Sequence, residues 1–258
     1  MAKLVIQQFI CRTDNFGVLV HDPDTGATAT IDAPDEAAVS TELARLGWRL
    51  TDILITHHHY DHVEGVPGLK AIYDARIVGP TSEADKIGPL DLAVAGGDIF
   101  SFAGRDIEVI NVPGHTAGHI AFHMPSEQLA FVGDTLFALG CGRILEGTPR
   151  QMWASLEALA ALPGDTVVYC GHEYTLSNGR FALSVDGDNQ ALVERMKTVE
   201  ALRTEDRMTL PTTIAEEIAT NPFLRASART VKEKLGMAGA GDVDVFARLR
   251  QMKNDFKG

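Results

Sequence analysis

THHHYDH, the stretch from residue 56 to residue 62, contains four of the nine histidines of this chain. The run of residues 52–56 (DILIT), which shares Thr56 with this stretch, leads directly into the histidines and predicts a short buried strand. Placing several imidazoles and a carboxylate at the end of a strand contributes nothing to folding. It does supply several metal ligands from one loop held by a rigid scaffold. The stretch therefore predicts a metal site at this strand end.

Three further apolar runs end in a glycine that is followed by a histidine or an aspartate. These runs are residues 110–115 (INVPGH), 131–134 (FVGD) and 168–172 (VYCGH). A glycine at each junction permits the tight turn that directs the next side chain along the strand axis. We expect the four strand ends to meet at one edge of a sheet and to form one site.

The number of donors in these four segments fits two metal ions better than one. Without His58, five imidazoles and two carboxylates remain, which exceed the four ligands of a tetrahedral zinc ion. The predicted ligands are His57, His59 and His115 for one ion, and Asp61, His62 and His172 for the other. Asp134 is predicted to lie between the ions, because a carboxylate offers one oxygen to each of two cations. Such a ligand set leaves room for water, which is typical of a catalytic site.

The remaining histidines are interpreted as structural or supporting residues. His58 lies between two predicted ligands whose side chains point the other way, and we expect it to support the site from outside. His119 has the same interpretation. His21 and His123 fall in predicted strands and are ordinary strand residues.

The character of the chain changes near residue 172. Short strand patterns interrupted by helices precede this point, and helical patterns follow it over residues 192–202, 213–220 and 243–252. The sequence therefore predicts an α/β domain over residues 1–172 and a helical domain over residues 173–258.

Two helices of the first part carry clear end signals. One is predicted over residues 35–46, with Gly47 in the C-terminal cap position. The other begins at Thr148, where Pro149 takes the first helical position and Gln151 completes a capping box.

Composition excludes several classes of protein. The 258 residues include 45% hydrophobic side chains, which is enough apolar material to exclude a disordered chain. No apolar run reaches the roughly 18 residues of a membrane span, and the N-terminus does not read as a signal peptide. A net charge of −12 disfavours a nucleic-acid partner. Three cysteines are too few for a disulfide framework, so we expect buried thiols in a cytoplasmic protein.

Residues 56–62 resemble the T-H-x-H-x-D-H signature of the metallo-β-lactamase superfamily, and the later ligands follow in that family's order. More closely, the chain is similar to the hydroxyacylglutathione hydrolase (glyoxalase II) family. The matching segments are residues 113–116 (PGHT), 133–137 (GDTLF), 141–143 (CGR), 171–175 (GHEYT), 221–225 (NPFLR) and 250–253 (RQMK). The resemblance implies a four-layer αβ/βα sandwich with the metals at one edge, followed by a helical domain.

The same resemblance implies a small-molecule substrate, S-D-lactoylglutathione, which is hydrolysed to D-lactate and glutathione. It places Arg143, Tyr174, Arg250 and Lys253 at glutathione-contacting positions. Tyr60 stands where many relatives have tryptophan, and Leu145 stands where an aromatic residue is usual. The expected cofactors are two divalent ions, with zinc favoured and iron or manganese as alternatives. We expect a monomer.

The chemistry expected of such a site follows from the thioester. Its thiolate leaving group has a pKa of roughly 8.5, so little acid catalysis is required at sulfur. Metal coordination lowers the pKa of water from ~15.7 to about 7 and supplies a hydroxide nucleophile. We expect this hydroxide to bridge two metals, Asp61 to orient it, and Asp134 to hold the metals about 3.5–4 Å apart.

Other functions remain open at the level of sequence. The chain has no G-x-S-x-G, no phosphate-binding G-x-x-x-x-G-K-[ST] and no H-E-x-x-H motif. A sulfur dioxygenase of the same fold, using one iron ion and a glutathione persulfide, is the first alternative. A non-catalytic metal-binding module is the second. A nuclease fits the negative charge poorly, and a β-lactamase or lactonase leaves the helical extension unexplained.

Overall fold

A computed structural model describes residues 2–258, and the chain forms two compact units. The first unit contains the described residues up to Asn111 together with Thr116–Gly133. The second contains Val112–His115 together with Asp134–Gly258. Both units combine strands with helices, in agreement with the predicted α/β class. The predicted domain boundary after residue 172 stays a prediction.

A six-stranded mixed sheet forms the larger part of the first unit. Its strands, in spatial order, are β1 (Val5–Cys11), β2 (Asn15–His21), β3 (Thr28–Ile31), β4 (Asp52–Leu54), β5 (Arg76–Pro80) and β6 (Leu92–Val94). The first three strands pair antiparallel, and β3 to β6 pair in parallel. Ile31 lies opposite Leu54, so the carboxyl ends of β3 and β4 are neighbours at one sheet edge.

Four helices accompany this sheet. They are α1 (Glu36–Leu46), α2 (Tyr60–Val63), α3 (Val66–Tyr73) and α4 (Ala84–Ile87). The ends predicted for α1 are confirmed, because the Asp35 side chain accepts from the Ala38 amide and Gly47 caps the helix at φ 71°. Val39 and Leu43 of α1 are fully buried in one core cluster with Leu19, Ile53 and Leu69. Apolar packing of α1 on the sheet thus fixes the scaffold of the loop after β4.

A second sheet of the first unit is antiparallel. It consists of β7 (Ile99–Phe102), β8 (Arg105–Asn111), β9 (Ile120–Met124) and β10 (Leu129–Phe131). Each strand pairs with the next one along the chain. The Ile120 amide donates to the Thr56 carbonyl oxygen at 3.0 Å. This bond joins the start of β9 to the histidine-rich segment of residues 56–62, here called the histidine loop.

The second unit contains two short strand pairs and six helices. The pairs are β11 (Leu136–Phe137) with β12 (Gly140–Cys141), and β13 (Val167–Tyr169) with β14 (Thr212–Thr213). The helices are α5 (Pro149–Ala160), α6 (Thr175–Asp186), α7 (Gln190–Thr204), α8 (Ile214–Thr220), α9 (Arg229–Lys234) and α10 (Asp242–Asp255). The capping box predicted at Thr148 and Gln151 is present.

Sequence patterns missed some of these elements. The expectation that strands end before residue 173 is wrong, since β14 pairs with β13; two residues are too few to show an alternating pattern. Helix α6 escaped prediction because its sequence, TLSNGRFALSVD, mixes buried small and polar residues with apolar ones. No helix within residues 2–258 combines the length and apolar character needed to cross a membrane.

Candidate metal centre

The loop after β4 and the first residues of α2 bring together the four ligands predicted in residues 56–62. Nε2 of His57 lies 3.1 Å from Nδ1 of His59, and the ring centroids of His57 and His62 are 4.1 Å apart. Oδ2 of Asp61 lies 3.7 Å from Nε2 of His62. Three imidazoles and one carboxylate therefore form one cluster, in agreement with the prediction for this strand end.

Asp32, which the sequence analysis did not single out, anchors His62. Its Oδ2 lies 2.8 Å from Nδ1 of His62, and its Oδ1 accepts from the Thr56 amide at 2.7 Å. Asp32 is buried and follows β3, so the parallel pairing of β3 with β4 brings it to this loop. A histidine that donates Nδ1–H to a carboxylate keeps Nε2 as a metal ligand.

His58 is bound by charged partners and meets His59 edge to face at a centroid distance of 5.1 Å, which fits the supporting role predicted for it. Glu83 accepts from the His58 amide at 2.7 Å and lies 2.8 Å from its Nδ1. Nζ of Lys86 lies 3.3 Å from His58 Nε2. Both ring nitrogens of His58 are thus engaged. Glu83 also accepts from the Gly118 amide at 2.8 Å, which ties a second loop to this one.

His119 packs on a predicted ligand. Its ring stacks on His57, with centroids 4.5 Å apart and planes 20° from parallel. Gly133 makes this contact possible, because a Cβ there would lie 2.5 Å from Oγ1 of Thr56 and 2.7 Å from Cε1 of His119. Its φ of +48° is also in the left-handed region. The glycine predicted at this strand end is therefore required by both space and backbone conformation.

The second unit brings together the three remaining predicted ligands. Nε2 of His115 and Nε2 of His172 lie 3.3 and 3.4 Å from the same oxygen, Oδ2 of Asp134. Nδ1 of His115 donates to the Arg143 carbonyl oxygen at 2.9 Å, which leaves Nε2 facing Asp134. All three ligands are buried. One oxygen of Asp134 thus lies near two imidazoles.

The donor chemistry of each cluster fits a divalent metal ion. Nitrogen and carboxylate lone pairs that converge within 3 to 4 Å repel one another unless a cation or a proton lies between them. Imidazole and carboxylate ligands suit zinc, iron and manganese alike. The hydrogen bonds from Nδ1 of His62 and His115 supply the outer support that metal-ligating histidines require.

Three of the four residues predicted to contact substrate form a cluster of cations in the second unit. Burial and repulsion by Arg250 and Arg143 lower the pKa of Lys253 to about 8. Arg250 is only 6% exposed and donates from Nη1 to the Cys141 carbonyl oxygen at 2.8 Å. Lys253 donates to the Ser177 carbonyl oxygen at 3.0 Å. Within residues 2–258 no carboxylate pairs with any of the three, so the cluster is suited to an anion.

Tyr174, the fourth such residue, lies against a predicted metal ligand. Its ring stacks on His172 and meets the edge of Phe137 at a centroid distance of 5.4 Å. The ring of Tyr174 remains partly exposed. Tyr60 and Leu145, the two departures from the family pattern, are exposed side chains.

Comparison with known proteins agrees with this description. Residues 13–172 match the metallo-β-lactamase superfamily, and residues 173–256 match the C-terminus of hydroxyacylglutathione hydrolase. A hydroxyacylglutathione hydrolase of Brucella ovis is 56% identical over 254 residues, which cover 98% of this chain and 99% of that protein.

Solved structures show the same fold. ETHE1 from Myxococcus xanthus superposes with a TM-score of 0.69 and 25% identity, over 96% of this chain and 90% of that one. The BLEG-1 B3 metallo-β-lactamase superposes with a TM-score of 0.67 and 20% identity, over 85% and 99%. The predicted fold, two sheets flanked by helices with a helical C-terminal region, is confirmed.

Proposed function

Because this chain belongs to the hydroxyacylglutathione hydrolase family of the metallo-β-lactamase superfamily, we propose that it hydrolyses S-D-lactoylglutathione to D-lactate and glutathione. Identity of 56% over nearly the full length of both chains supports the reaction class, thioester hydrolysis. The observation that supports the glutathione moiety is the cation cluster of Arg143, Arg250 and Lys253 in a protein of net charge −12.

We propose that the two ligand clusters hold two divalent ions in one binuclear centre. The proposed ligands are His57, His59 and His115 for one ion, Asp61, His62 and His172 for the other, and Asp134 for both. Divalent ions held by such residues supply an activated water at neutral pH and polarise the carbonyl oxygen of the substrate. Zinc is the proposed metal, and the same donor set accepts iron or manganese.

The two aspartates have separate proposed roles in catalysis. Asp61, whose side chain is 37% exposed, is proposed to bind metal and to orient the nucleophile through its carboxylate. Asp134, which is buried with its Oδ2 near His115 and His172, is proposed to set the spacing of the two metal ions. Attack on the carbonyl carbon gives a tetrahedral intermediate, whose collapse breaks the carbon–sulfur bond and releases glutathione as the thiolate of a thiol with a pKa of roughly 8.5. The protein therefore needs no acid at the leaving sulfur.

The substrate-binding residues act on the glutathione part of the thioester. Glutathione carries two carboxylates, and Arg143 and Arg250 present the planar donors that pair with a carboxylate. Lys253 adds a point charge beside them. Tyr174 supplies an exposed ring and hydroxyl next to His172. These four contacts bind a part of the substrate that does not react, and they therefore lower KM.

We also propose that the enzyme works as a monomer in the cytoplasm. All seven proposed ligands and all four proposed substrate contacts come from one chain, so no second chain is needed to complete the site. The three cysteines are buried and unpaired, which suits a reducing compartment. Light scattering across a range of protein concentrations tests the oligomeric state.

The function is tested by metal analysis and turnover on the same sample. We expect purified protein with two equivalents of metal to release free thiol from S-D-lactoylglutathione under anaerobic conditions, and chelation to abolish the release. A sulfur dioxygenase would instead need oxygen, consume a glutathione persulfide and leave the thioester intact. Metal-replete protein without thiol release would contradict the proposal and favour a non-catalytic module.

A further inference from the structure

The side chain of Asn15 donates two hydrogen bonds to Asp61, the aspartate of residues 56–62. Its Nδ2 donates to Oδ2 of Asp61 at 3.0 Å and to the backbone carbonyl oxygen of Asp61 at 3.1 Å. Both acceptors belong to the same residue, 46 positions away in sequence. Because both are oxygens, the amide nitrogen and not the amide oxygen of Asn15 must face them. The two protons of one amide therefore fix both the side chain and the main chain of Asp61.

The position of Asn15 is itself set by the first hairpin. Asn15 is the first residue of β2 and lies opposite Cys11 in the antiparallel register of β1 and β2. It is only 4% exposed, whereas the side chain of Asp61 is 37% exposed. A buried donor, held in place by the strand pairing, thus contacts a carboxylate that is partly exposed to solvent.

We propose that Asn15 is a positioning residue of the metal centre, which sets the direction in which Asp61 presents its carboxylate to metal and water. Freezing a partly exposed side chain costs conformational entropy, and a fixed donor on one oxygen offsets that cost before the metal binds. Outer partners of metal ligands act in this way, and their loss typically lowers metal affinity about 10- to 100-fold. The inference rests on the proposed role of Asp61 as a ligand.

Asn15→Leu tests this inference, since leucine fills the same space and donates no hydrogen bond. We expect Zn2+ affinity, measured by competition with a chromophoric chelator, to fall by about 10- to 100-fold at one of two sites. The visible spectrum of the Co2+-substituted protein should change as well, because the geometry around one ion changes. Asn15→Ser, which keeps a shorter donor, should lose less affinity than Asn15→Leu.

A matched control separates positioning from simple loss of a buried hydrogen bond. Thr28 is buried at the start of β3, and its Oγ1 lies 2.9 Å from Nδ1 of His21. Thr28→Val should lower the thermal midpoint of the metal-free protein and leave Zn2+ affinity and the Co2+ spectrum unchanged. Circular dichroism of each metal-free variant verifies that it folds.

The outcomes distinguish this inference from the proposed function. Wild-type protein that binds no Zn2+ and cleaves no thioester overturns the function and the inference together. Wild-type protein that binds two ions and turns over, beside folded Asn15→Leu with the same Zn2+ affinity and Co2+ spectrum, overturns the inference alone. Selective weakening of one site in Asn15→Leu and not in Thr28→Val supports it.

Discussion

The ring of Tyr174 lies parallel to the imidazole of His172, with centroids 4.8 Å apart and planes 2° from parallel. His172 in turn faces Oδ2 of Asp134 through Nε2 at 3.4 Å. A residue proposed to bind substrate is thus in direct contact with a residue proposed to bind metal. Substitutions at position 174 therefore test two roles: the hydroxyl is proposed to bind substrate, and the ring supports His172.

Tyr174→Phe should keep the stack on His172 and remove only the hydroxyl. We expect metal content and kcat to stay near the wild-type values and KM to rise by about 2- to 10-fold, the effect of one lost hydrogen bond. Tyr174→Ala should in addition destabilise the protein by about 0.5–1.5 kcal/mol, the usual contribution of an aromatic pair. Steady-state kinetics and chemical denaturation check the two variants. If Tyr174→Ala had the same kinetic constants and the same stability as Tyr174→Phe, the stack of Tyr174 on His172 would have no role in either.

Lys253 predicts a pH dependence of substrate binding. Its pKa lies near 8, below the ordinary value of 10.5, because burial and the neighbouring Arg250 and Arg143 disfavour its charge. Only the protonated amine attracts a carboxylate, so affinity is full well below pH 8 and falls as the pH rises through that value. At pH 9 about one tenth of Lys253 is charged, and KM should be about tenfold higher than at pH 7.

Lys253→Arg is the control for this prediction. Arginine stays charged throughout the range, so its KM should change much less between pH 7 and pH 9. Ionisation of the substrate itself affects both proteins equally and cancels in the comparison. A wild-type KM that follows the pH in the same way as that of Lys253→Arg would contradict the assignment of Lys253 to the anion site.

Asp32→Asn removes the negative charge beside Nδ1 of His62 and so tests whether that charge supports metal binding. Asp32 has a φ of +55°, and asparagine tolerates this left-handed conformation, so the substitution introduces no backbone strain. With its oxygen toward Nδ1 of His62, asparagine is a weaker acceptor there, and its amide nitrogen faces the backbone N–H of Thr56. We expect metal affinity to fall about 10- to 100-fold, as for other outer partners of metal ligands. Chelator competition measures the loss, and an unchanged affinity would rule out this role for Asp32.

The proposed ligands could be picked out from sequence because they occur in dense, ordered motifs. Residues 56–62 present four donors within one loop, and each later donor follows a glycine at the end of an apolar run. The scaffold was predictable for the same reason, since periodic apolar residues and helix caps mark β4, α1 and α5 locally. In each of these cases, the sequence pattern and the structural element that it predicts lie in the same short segment.

The supporting residues could not be predicted in this way. Asp32 and Asn15 are single polar residues 30 and 46 positions away from the partners they hold. Only the parallel pairing of β3 with β4 and the register of the first hairpin bring them to the loop. Arg250 on α10 is similar: a cation on a C-terminal helix usually faces solvent, yet here it is buried on the Cys141 carbonyl. Tertiary pairing, which local patterns do not encode, decides all three positions.

The three cysteines should be inert in the folded enzyme. Burial raises the pKa of Cys11 and of Cys170 to about 12, and burial also raises the pKa of Cys141 although Arg250 opposes the shift. Since the thiolate is the reactive species, less than about one thiol in 10⁴ is ionised at pH 7.5 for the first two. We expect a disulfide reagent to titrate no thiol rapidly in native protein and three thiols after denaturation. Rapid modification of one thiol in the native enzyme, and its loss in a single Cys→Ser variant, would identify a cysteine that opens to solvent.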